Sequence, residues 1–363
     1  MRDMPHVWLR KEARPTERRA PITPEAAGEL VRAGFLVTVE EAPQRVFPVA
    51  AYATEGCAVA PGGSWVDAPG DAYVLGLKEL PPEPGALRHR HVLFGHAYKG
   101  QHGARELLER FAAGGGTLLD LEYLVDERGR RLTSFGYWAG YVGAALAVLH
   151  RAGALAAPLR PTTAAELEHA LRAAAQADPS GDRALVVGAL GRAGRGALAA
   201  LAVAGTPTTA WDIAETAQLD SDHLTAGLLG HDVLVNAAFS DEPGRPFVTR
   251  ADLDRPDRRL AVIADVSCDV NSACNLLPIY DEPTSWEHPV LRVAGEPRPV
   301  DLIAIDNLPS LVPAEASAAF SADLLPLLLD LDGPGEAWRR CRERFLEARA
   351  GLLGAAPEEA DRA

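Results

Sequence analysis

The first third of the chain alternates short apolar runs with longer amphipathic stretches. Uninterrupted apolar runs bounded by turn residues are typical of strands buried on both faces of a parallel sheet. Such runs lie at 6–11, 35–41, 72–77, 91–95 and 117–122. Between them, one helix is predicted to begin around Thr23, a capping residue followed by proline, and to end at Gly34; another covers 101–114. This alternation predicts a mostly parallel α/β sheet.

The same alternation recurs later in the chain. The apolar stretch 134–150 is interrupted by glycine and aromatic residues, so it predicts a buried helix and not a membrane span. Further strands are predicted at 184–188, 208–212, 232–237, 260–267 and 302–306, with helices at 163–176, 313–331 and 335–353. We therefore predict an α/β protein of two domains, one formed by residues 1–134 plus 316–363 and the other by residues 135–315.

Composition narrows the classes of partner. The net charge of −14 argues against a nucleic-acid partner. The four cysteines match no zinc or disulfide spacing, so no metal is expected and a reducing cytoplasm is favoured. No secretory signal is evident at the N-terminus, and no membrane partner is expected. The expected partners are small molecules, and the expected assembly is a monomer.

Three side chains able to transfer protons follow apolar runs of the first domain. Lys78, His96 and Glu122 each lie at or just past the end of such a run. If those runs are neighbouring parallel strands, the three groups share the edge of the sheet where ligands bind in open α/β folds. Histidine titrates near neutrality, and a lysine becomes a base once burial or neighbouring cations lower its pKa. Each residue alone is more often an ordinary surface or core group, so it is their joint placement that indicates an active site.

A glycine-rich turn, 188-GALGRAG-194, follows the strand at 184–188. It is a variant of the dinucleotide fingerprint, with Ala189 where the first glycine normally falls. Gly191 would let the backbone approach a pyrophosphate, and Gly194 would allow close packing of helix on strand. The following strand ends in Asp212, at the distance expected for the residue that binds the ribose 2′-hydroxyl.

Asp212 also bears on the choice of cofactor. Its carboxylate would repel a 2′-phosphate, which favours NAD over NADP. Arg192 and Arg195 leave NADP open, because either is able to meet such a phosphate. Lysine is scarce in this chain, and Arg19, Lys99 and Arg131 are candidates for binding carboxylates. The residues alone thus predict NAD-dependent oxidation of an amine or a hydroxyl on an anionic ligand.

The chain resembles the NAD-dependent, lysine-forming saccharopine dehydrogenases, a family of the alanine dehydrogenase-like superfamily. The segments that carry the resemblance are 9-LRKEARPTERRAPITP-24, 62-GGSW-65, 75-LGLKEL-80, 94-FGHAYKGQ-101, 117-TLLDLEYL-124, 129-GRRLTSFGYWAG-140, 187-VGALGRAGRG-196, 211-WDIAET-216, 265-DVSCD-269 and 303-IAIDNLPSLVPAEAS-317. They span nearly the whole chain in order. The resemblance implies two Rossmann-like domains with an interdomain active-site cleft, residues 1–134 plus 316–363 on the substrate side and 135–315 binding NAD.

The resemblance also implies a reaction and roles for residues. Hydride would pass from saccharopine to NAD, and hydration of the resulting imine would release lysine and 2-oxoglutarate. Lys78 would take the proton of the secondary amine, and His96 would serve hydration and breakdown of the imine. The residues implied to bind substrate are Arg19, Lys99, Gln101, Glu122, Arg131 and Phe135. The residues implied to bind NAD are Arg130, Gly188, Gly191, Arg192, Gly194, Asp212, Thr216, Phe239, Val266, Ile305, Asp306, Asn307 and Leu308.

The sequence departs from the family most clearly at 270–277. Relatives usually carry a Pro-His-Asn-Pro stretch here, and this chain has 270-VNSACNLL-277 instead. The difference keeps open a second hypothesis, a related opine-type dehydrogenase that couples another amine to a keto acid. A third hypothesis is a non-catalytic NAD-binding regulator, which predicts NAD binding without turnover. Retention of both Lys78 and His96 argues against the third.

Overall fold

The computed structural model describes residues 4–98, 103–177, 181–240, 242–270, 272–295, 298–333 and 335–354. The chain divides into two compact units, one formed by Met1–Ser134 with Ala316–Ala363 and the other by Phe135–Glu315. Each unit contains one six-stranded sheet with helices connecting its strands.

The sheet of the first unit is parallel throughout its described strands. These are β1 (His6–Leu9), β2 (Leu36–Glu40), β3 (Ala58–Ala60), β4 (Tyr73–Leu75), β5 (Arg90–Leu93) and β6 (Thr117–Asp120). Their order is β3-β2-β1-β4-β5-β6. The first three connecting helices are α1 (Pro24–Arg32), α2 (Val49–Thr54) and α3 (Ala104–Gly114). The strand order reverses beside β1, which is the topology of a Rossmann-like sheet.

The first helix begins where the sequence predicts. The Thr23 side chain accepts a hydrogen bond from the Ala26 amide at 3.2 Å, and Pro24 occupies the first helical turn. Gly34 lies just past the end of the helix with φ of 94°, a conformation that favours glycine. The strand β3 and the helix α2 were not predicted, because β3 is short and mostly exposed and so carries no apolar run.

The second unit has a mixed sheet. Its strands are β7 (Ala184–Val187), β8 (Thr208–Trp211), β9 (Val233–Asn236), β10 (Val262–Asp265), β11 (Leu291–Ala294) and β12 (Val300–Ile303). Their order is β11-β12-β10-β9-β7-β8, with β11 antiparallel to β12 and the other pairs parallel. Its helices are α4 (Gly136–Arg151), α5 (Ala164–Ala177), α6 (Arg192–Val203), α7 (Ile213–Thr216) and α8 (Ser221–Leu229). The edge strand β11 was not predicted, since its residues are mostly exposed.

The stretch predicted as a buried helix is α4, which packs closely on α6. A Cβ on Gly140 or on Gly196 would overlap the backbone of the facing helix, so both positions require glycine for this approach. Two further helices, α9 (Pro313–Leu329) and α10 (Glu336–Gly354), complete the chain, and α10 packs on β6 of the first unit. Within the described residues, none of the helices has the length and apolar character needed to cross a bilayer.

Candidate active site

The carboxyl edge of the first sheet carries three of the predicted site residues. The strands β4, β5 and β6 are adjacent and parallel, and Lys78, His96 and Glu122 follow them in turn. The structure therefore gives the three apolar runs the arrangement on which the sequence argument depends. Parallel strands present their carboxyl ends at the same side of a sheet, so the three backbone positions share this edge.

His96 and Glu122 form an ion-pair geometry. The His96 Nδ1 atom lies 3.3 Å from Oε2 of Glu122. The other oxygen, Oε1, accepts a hydrogen bond from Arg131 Nη2 at 3.0 Å. Glu122 is 11% exposed at its side chain and His96 is 55% exposed, so a mostly buried carboxylate orients a ring that solvent reaches. Phe94 stacks on the His96 ring with an interplanar angle of 20°.

A buried carboxyl group, that of Asp120, holds the turn that carries Glu122. Oδ1 of Asp120, the last residue of β6, accepts the Glu122 amide at 2.9 Å. Burial raises the pKa of Asp120 to about 6, and the charge of Glu122 acts in the same direction. The backbone amides of Glu122 and Gly95 and the charge of His96 act against this rise. Sequence reasoning missed Asp120, although it ends a strand just as Glu122 follows one.

Lys78 is half-buried, and its charge acts on two nearby carboxyl groups, those of Glu17 and Glu79. Burial acts to raise the pKa of the Glu17 carboxyl, but Arg19 and then Lys78 outweigh it, so that pKa is lowered. Arg19 Nε and Nη2 donate to the two oxygens of Glu17 at 2.8 and 2.6 Å in a buried fork. Burial also acts to raise the pKa of Glu79, but Arg14 and Lys78 outweigh it, so that pKa is lowered. Arg14 also forms an ion pair with Glu79.

Glu17 was not among the residues singled out in the sequence. The available signal was a single acid within the basic segment 14–19. Arg19, expected to bind a substrate carboxylate, is itself buried by its pairing with Glu17. Any hydrogen bond from Arg19 to a ligand would therefore form in addition to its two hydrogen bonds to Glu17.

The remaining substrate and turn residues are placed as follows. Arg130 pairs with Asp126 at 2.7 Å across an exposed turn, while Arg131 points its guanidinium to Glu122. Phe135 begins the second unit, directly before α4. Lys99 and Gln101 lie outside the described residues.

In the glycine-rich turn of the second unit, two glycines are needed for the fold, and one leaves room for a ligand. Gly188 has φ of 81°, and a Cβ there would lie 2.7 Å from the Ala237 carbonyl carbon. A Cβ on Gly194 would meet the Ala189 Cα at 2.5 Å. A Cβ on Gly191 would approach nothing closer than the Gly188 oxygen at 3.3 Å. The turn needs its first and last glycines to fold, whereas Gly191, at the start of α6, leaves backbone open to a ligand.

Asp212 directly follows β8, beside this turn. Its Oδ2 accepts the Leu190 amide at 2.8 Å and its Oδ1 accepts the Ile213 amide at 2.9 Å. A capping box with Glu215 fixes the start of α7, and Thr216 donates its hydroxyl to the Asp212 carbonyl at 3.0 Å. The carboxylate is thus held rigidly at the ends of the strands.

Three large apolar side chains are exposed around these strand ends. Leu190, Ile213 and Phe239 are 74%, 79% and 67% exposed, and they follow β7, β8 and β9. Exposed apolar side chains at a carboxyl edge fit an aromatic ligand. Only Phe239 was singled out in the sequence, because one exposed leucine or isoleucine has no pattern of its own. A nucleotide's adenine and pyrophosphate match the apolar and the glycine-lined parts of this edge.

The other expected cofactor residues lie at the ends of β10 and β12. Val266 is half-buried and follows Asp265, whose buried carboxylate accepts hydrogen bonds from Asn236 at 3.0 Å and from the Tyr280 hydroxyl at 2.7 Å. Ile305 and Leu308 are buried in the core, whereas Asp306 is exposed. Any contact of the first two with a ligand would therefore come mainly from backbone.

Arg192 is half-buried at the start of α6. In the divergent loop, Asn275 accepts the Leu277 amide at 2.8 Å and Cys274 is reduced. Leu277 is buried. The described part of this loop is thus anchored in the second unit by Leu277. Within the described residues, no group of three His, Cys, Asp or Glu side chains is placed to hold a metal ion.

Comparison with solved structures shows which known fold the chain shares. The chain superposes on an L-alanine dehydrogenase with a TM-score of 0.68, at 17% identity and with 94% of each chain covered. This likeness shows a shared two-unit α/β fold. Residues 8–142 also match the family model described as alanine dehydrogenase/PNT, N-terminal domain.

Curated relatives identify the family. The chain is 40% identical over 361 residues to the saccharopine dehydrogenase [NAD(+), L-lysine-forming] of Schizosaccharomyces pombe, covering 94% of this chain and 97% of that protein. It is 40% identical over 363 residues to the protein of the same name from Neurospora crassa, covering 95% and 97%. The chain belongs to the NAD(+), L-lysine-forming saccharopine dehydrogenase family, and the resemblance found in the sequence is confirmed.

Proposed function

We propose that this protein is an NAD-dependent saccharopine dehydrogenase, which oxidises saccharopine to L-lysine and 2-oxoglutarate and catalyses the reverse condensation. The observation that carries the proposal is the shared edge of β4, β5 and β6, which brings Lys78, His96 and Glu122 together in a member of this family. The reaction needs one group that accepts the amine proton and one that activates water, and this edge supplies both types.

NAD is assigned to the second unit. Gly191 offers open backbone to the pyrophosphate, Asp212 offers its carboxylate to the ribose, and Phe239 with its exposed neighbours offers an apolar surface to the adenine. Bound NAD supplies the acceptor for the hydride that leaves the α-carbon of the glutarate part of saccharopine. We assign substrate binding to the first unit, where Arg19 and Arg131 are the described cations able to bind carboxylates, and the family resemblance adds Lys99, Gln101 and Phe135.

Lys78 accepts the proton of the secondary amine as the carbon–nitrogen bond becomes an imine. To do so it must be a neutral amine, and carboxylates nearby favour the ammonium form. Glu17 and Glu79 are such carboxylates, but each is already paired with an arginine. The two arginines offset the charge of both carboxylates.

His96 activates water in the second half of the reaction. Nδ1 of His96 is turned towards Glu122 at 3.3 Å, so Nε2 is the ring atom assigned to accept the proton. Nε2 removes a proton from water as its oxygen bonds to the imine carbon. This proton passes to the imine nitrogen. The hydroxyl proton of the resulting carbinolamine then moves to the same nitrogen by way of Nε2 as the carbon–oxygen double bond forms and the carbon–nitrogen bond breaks, giving lysine and 2-oxoglutarate. The exposure of His96 admits the water that this step consumes.

The test is consumption of NADH by purified protein supplied with lysine and 2-oxoglutarate. Lys78→Met and His96→Gln should lower the rate by about 10² to 10⁴ and leave NADH binding intact. Lys78→Arg keeps the positive charge but supplies no proton acceptor, so it should be as slow as Lys78→Met. Absence of NADH consumption by the wild type, or a clear preference for another amine and keto acid in a substrate panel, would refute the assignment.

We further propose that the protein is a cytoplasmic monomer. Cys57, Cys268, Cys274 and Cys341 are all unpaired thiols, which supports a reducing compartment. Light scattering coupled to gel filtration tests the assembly, and a dimer mass would refute the monomer.

A further inference from the structure

Two buried charged residues that follow the neighbouring strand bind the turn that carries Lys78. Arg10 and Glu12 lie just past the end of β1, and Lys78 lies just past the end of β4, which pairs with β1. Arg10 and Glu12 are nearly inaccessible to solvent, and they form an ion pair at 3.3 Å. Burying two charges is costly unless further hydrogen bonds compensate, so their partners indicate what they stabilise.

Both carboxylate oxygens of Glu12 accept backbone amides of this turn. Oε1 accepts the Leu77 amide at 2.8 Å, and Oε2 accepts the Lys78 amide at 3.0 Å. Charge-assisted bonds to two successive amides fix the peptide plane that precedes the Lys78 side chain.

Arg10 holds the other side of the same turn. Its Nη2 atom donates to the carbonyl of Lys78 and, at 3.3 Å, to the carbonyl of Glu79. A Cβ on Gly76 would overlap the guanidinium, so the glycine there makes room for the arginine. The amide and the carbonyl of Lys78 are thus both bound, one by each member of the pair.

We propose that Arg10 and Glu12 are positioning residues that hold the backbone of Lys78 and thereby aim its amine at the substrate. The inference rests on the proposed role of Lys78 as the proton acceptor. Neither residue touches substrate, and both act through the turn 76–79. Displacement of a catalytic group by about 1 Å costs up to about 100-fold in rate, so releasing the turn should lower kcat strongly.

Glu12→Gln tests the proposal, because a glutamine can accept from one amide but turns an NH2 group towards the other. The matched control is Asp232→Asn in the second unit. Asp232 is also a buried carboxylate that accepts a backbone amide, from Arg183 at 2.9 Å, and pairs with an arginine, Arg259. We expect kcat to fall about 10- to 100-fold in Glu12→Gln with NADH affinity unchanged, and neither quantity to change in Asp232→Asn.

A second readout does not depend on turnover. The chain has only three lysines, Lys11, Lys78 and Lys99, so acylation of Lys78 by an amine reagent can be quantified by mass spectrometry against exposed Lys11. Glu12→Gln should raise the labelling of Lys78 relative to Lys11, and Asp232→Asn should not. If Glu12→Gln does not fold, Arg10→Lys carries the same expectations, since it keeps a cation but loses the fork.

The proposal requires both the fall in kcat and the change in labelling. Wild-type behaviour of the folded variant in either measurement would overturn it, as would the same changes in Asp232→Asn. A wild-type protein without saccharopine turnover would refute the proposed function, and the labelling comparison would then still show whether the pair holds Lys78.

Discussion

Replacing His91 with leucine is expected to remove part of the acid sensitivity of the first unit. His91 lies on β5 and is fully buried, with its ring 5.2 Å from that of Trp65 and 5.5 Å from that of Phe111. Among the described residues, neither of its ring nitrogens has a hydrogen-bond partner. Burial, and then the charges of Arg10, His89 and Arg110, lower the pKa of His91 to about 3.

The sign and size of the effect follow from proton linkage. An unfolded chain binds a proton at His91 below about pH 6.5, whereas the folded state does so only below about pH 3. The unfolded state therefore gains protons first, and the free energy of unfolding falls as the pH drops through this window. Each pH unit corresponds to about 1.4 kcal/mol, so the change from pH 7 to pH 5 costs about 2 kcal/mol at this one residue.

Urea unfolding at the two pH values measures the difference, with tryptophan fluorescence as the signal because Trp65 contacts the ring. His91→Leu loses no hydrogen bond at pH 7, and relative to wild type it should gain about 2 kcal/mol on going to pH 5. His169→Leu, at an exposed position on α5, is the control and should follow the wild-type pH dependence. Equal pH dependence of His91→Leu and wild type would refute the reasoning.

Three further outcomes are expected. Because burial raises the pKa of Asp120 to about 6, the folded state keeps the proton of this residue to a higher pH than the unfolded chain does. The free energy of unfolding of the wild type should therefore fall by about 1 kcal/mol at this residue between pH 5 and pH 7. Urea unfolding should show no such fall in Asp120→Asn. Gly191→Ala should keep the melting temperature but weaken NADH binding in a fluorescence titration, whereas Gly194→Ala should lower the melting temperature; equal stability of the two would contradict the geometry of the turn. Asp212→Ala should raise the Kd for NADH about 10-fold and reduce the preference for NADH over NADPH. An unchanged Kd would show that Asp212 is not part of the cofactor site.

The placement of the proton-transfer groups could be predicted from sequence because it depends on local signals. An apolar run ends, a polar residue follows, and parallel strands put such ends on one edge, as they do for His96 after β5. The edge strand β11 escaped prediction because an exposed strand has no apolar run, and it owes its place to pairing with β12. The partners Glu12 and Glu17 escaped prediction for a related reason. Glu12 reaches the Lys78 amide across 66 positions of sequence, and no periodicity spans such a distance.

The carboxylates beside Lys78 are paired with arginines and not with lysines. An arginine stays charged at any pH the protein meets, so it can neutralise Glu17 and Glu79 without competing for the transferred proton. A lysine in either supporting position would itself titrate and share that proton. With arginines in the supporting positions, Lys78 is the amine that changes its charge in the proposed mechanism. In that mechanism the arginines supply fixed positive charge, and Lys78 gains and loses the proton.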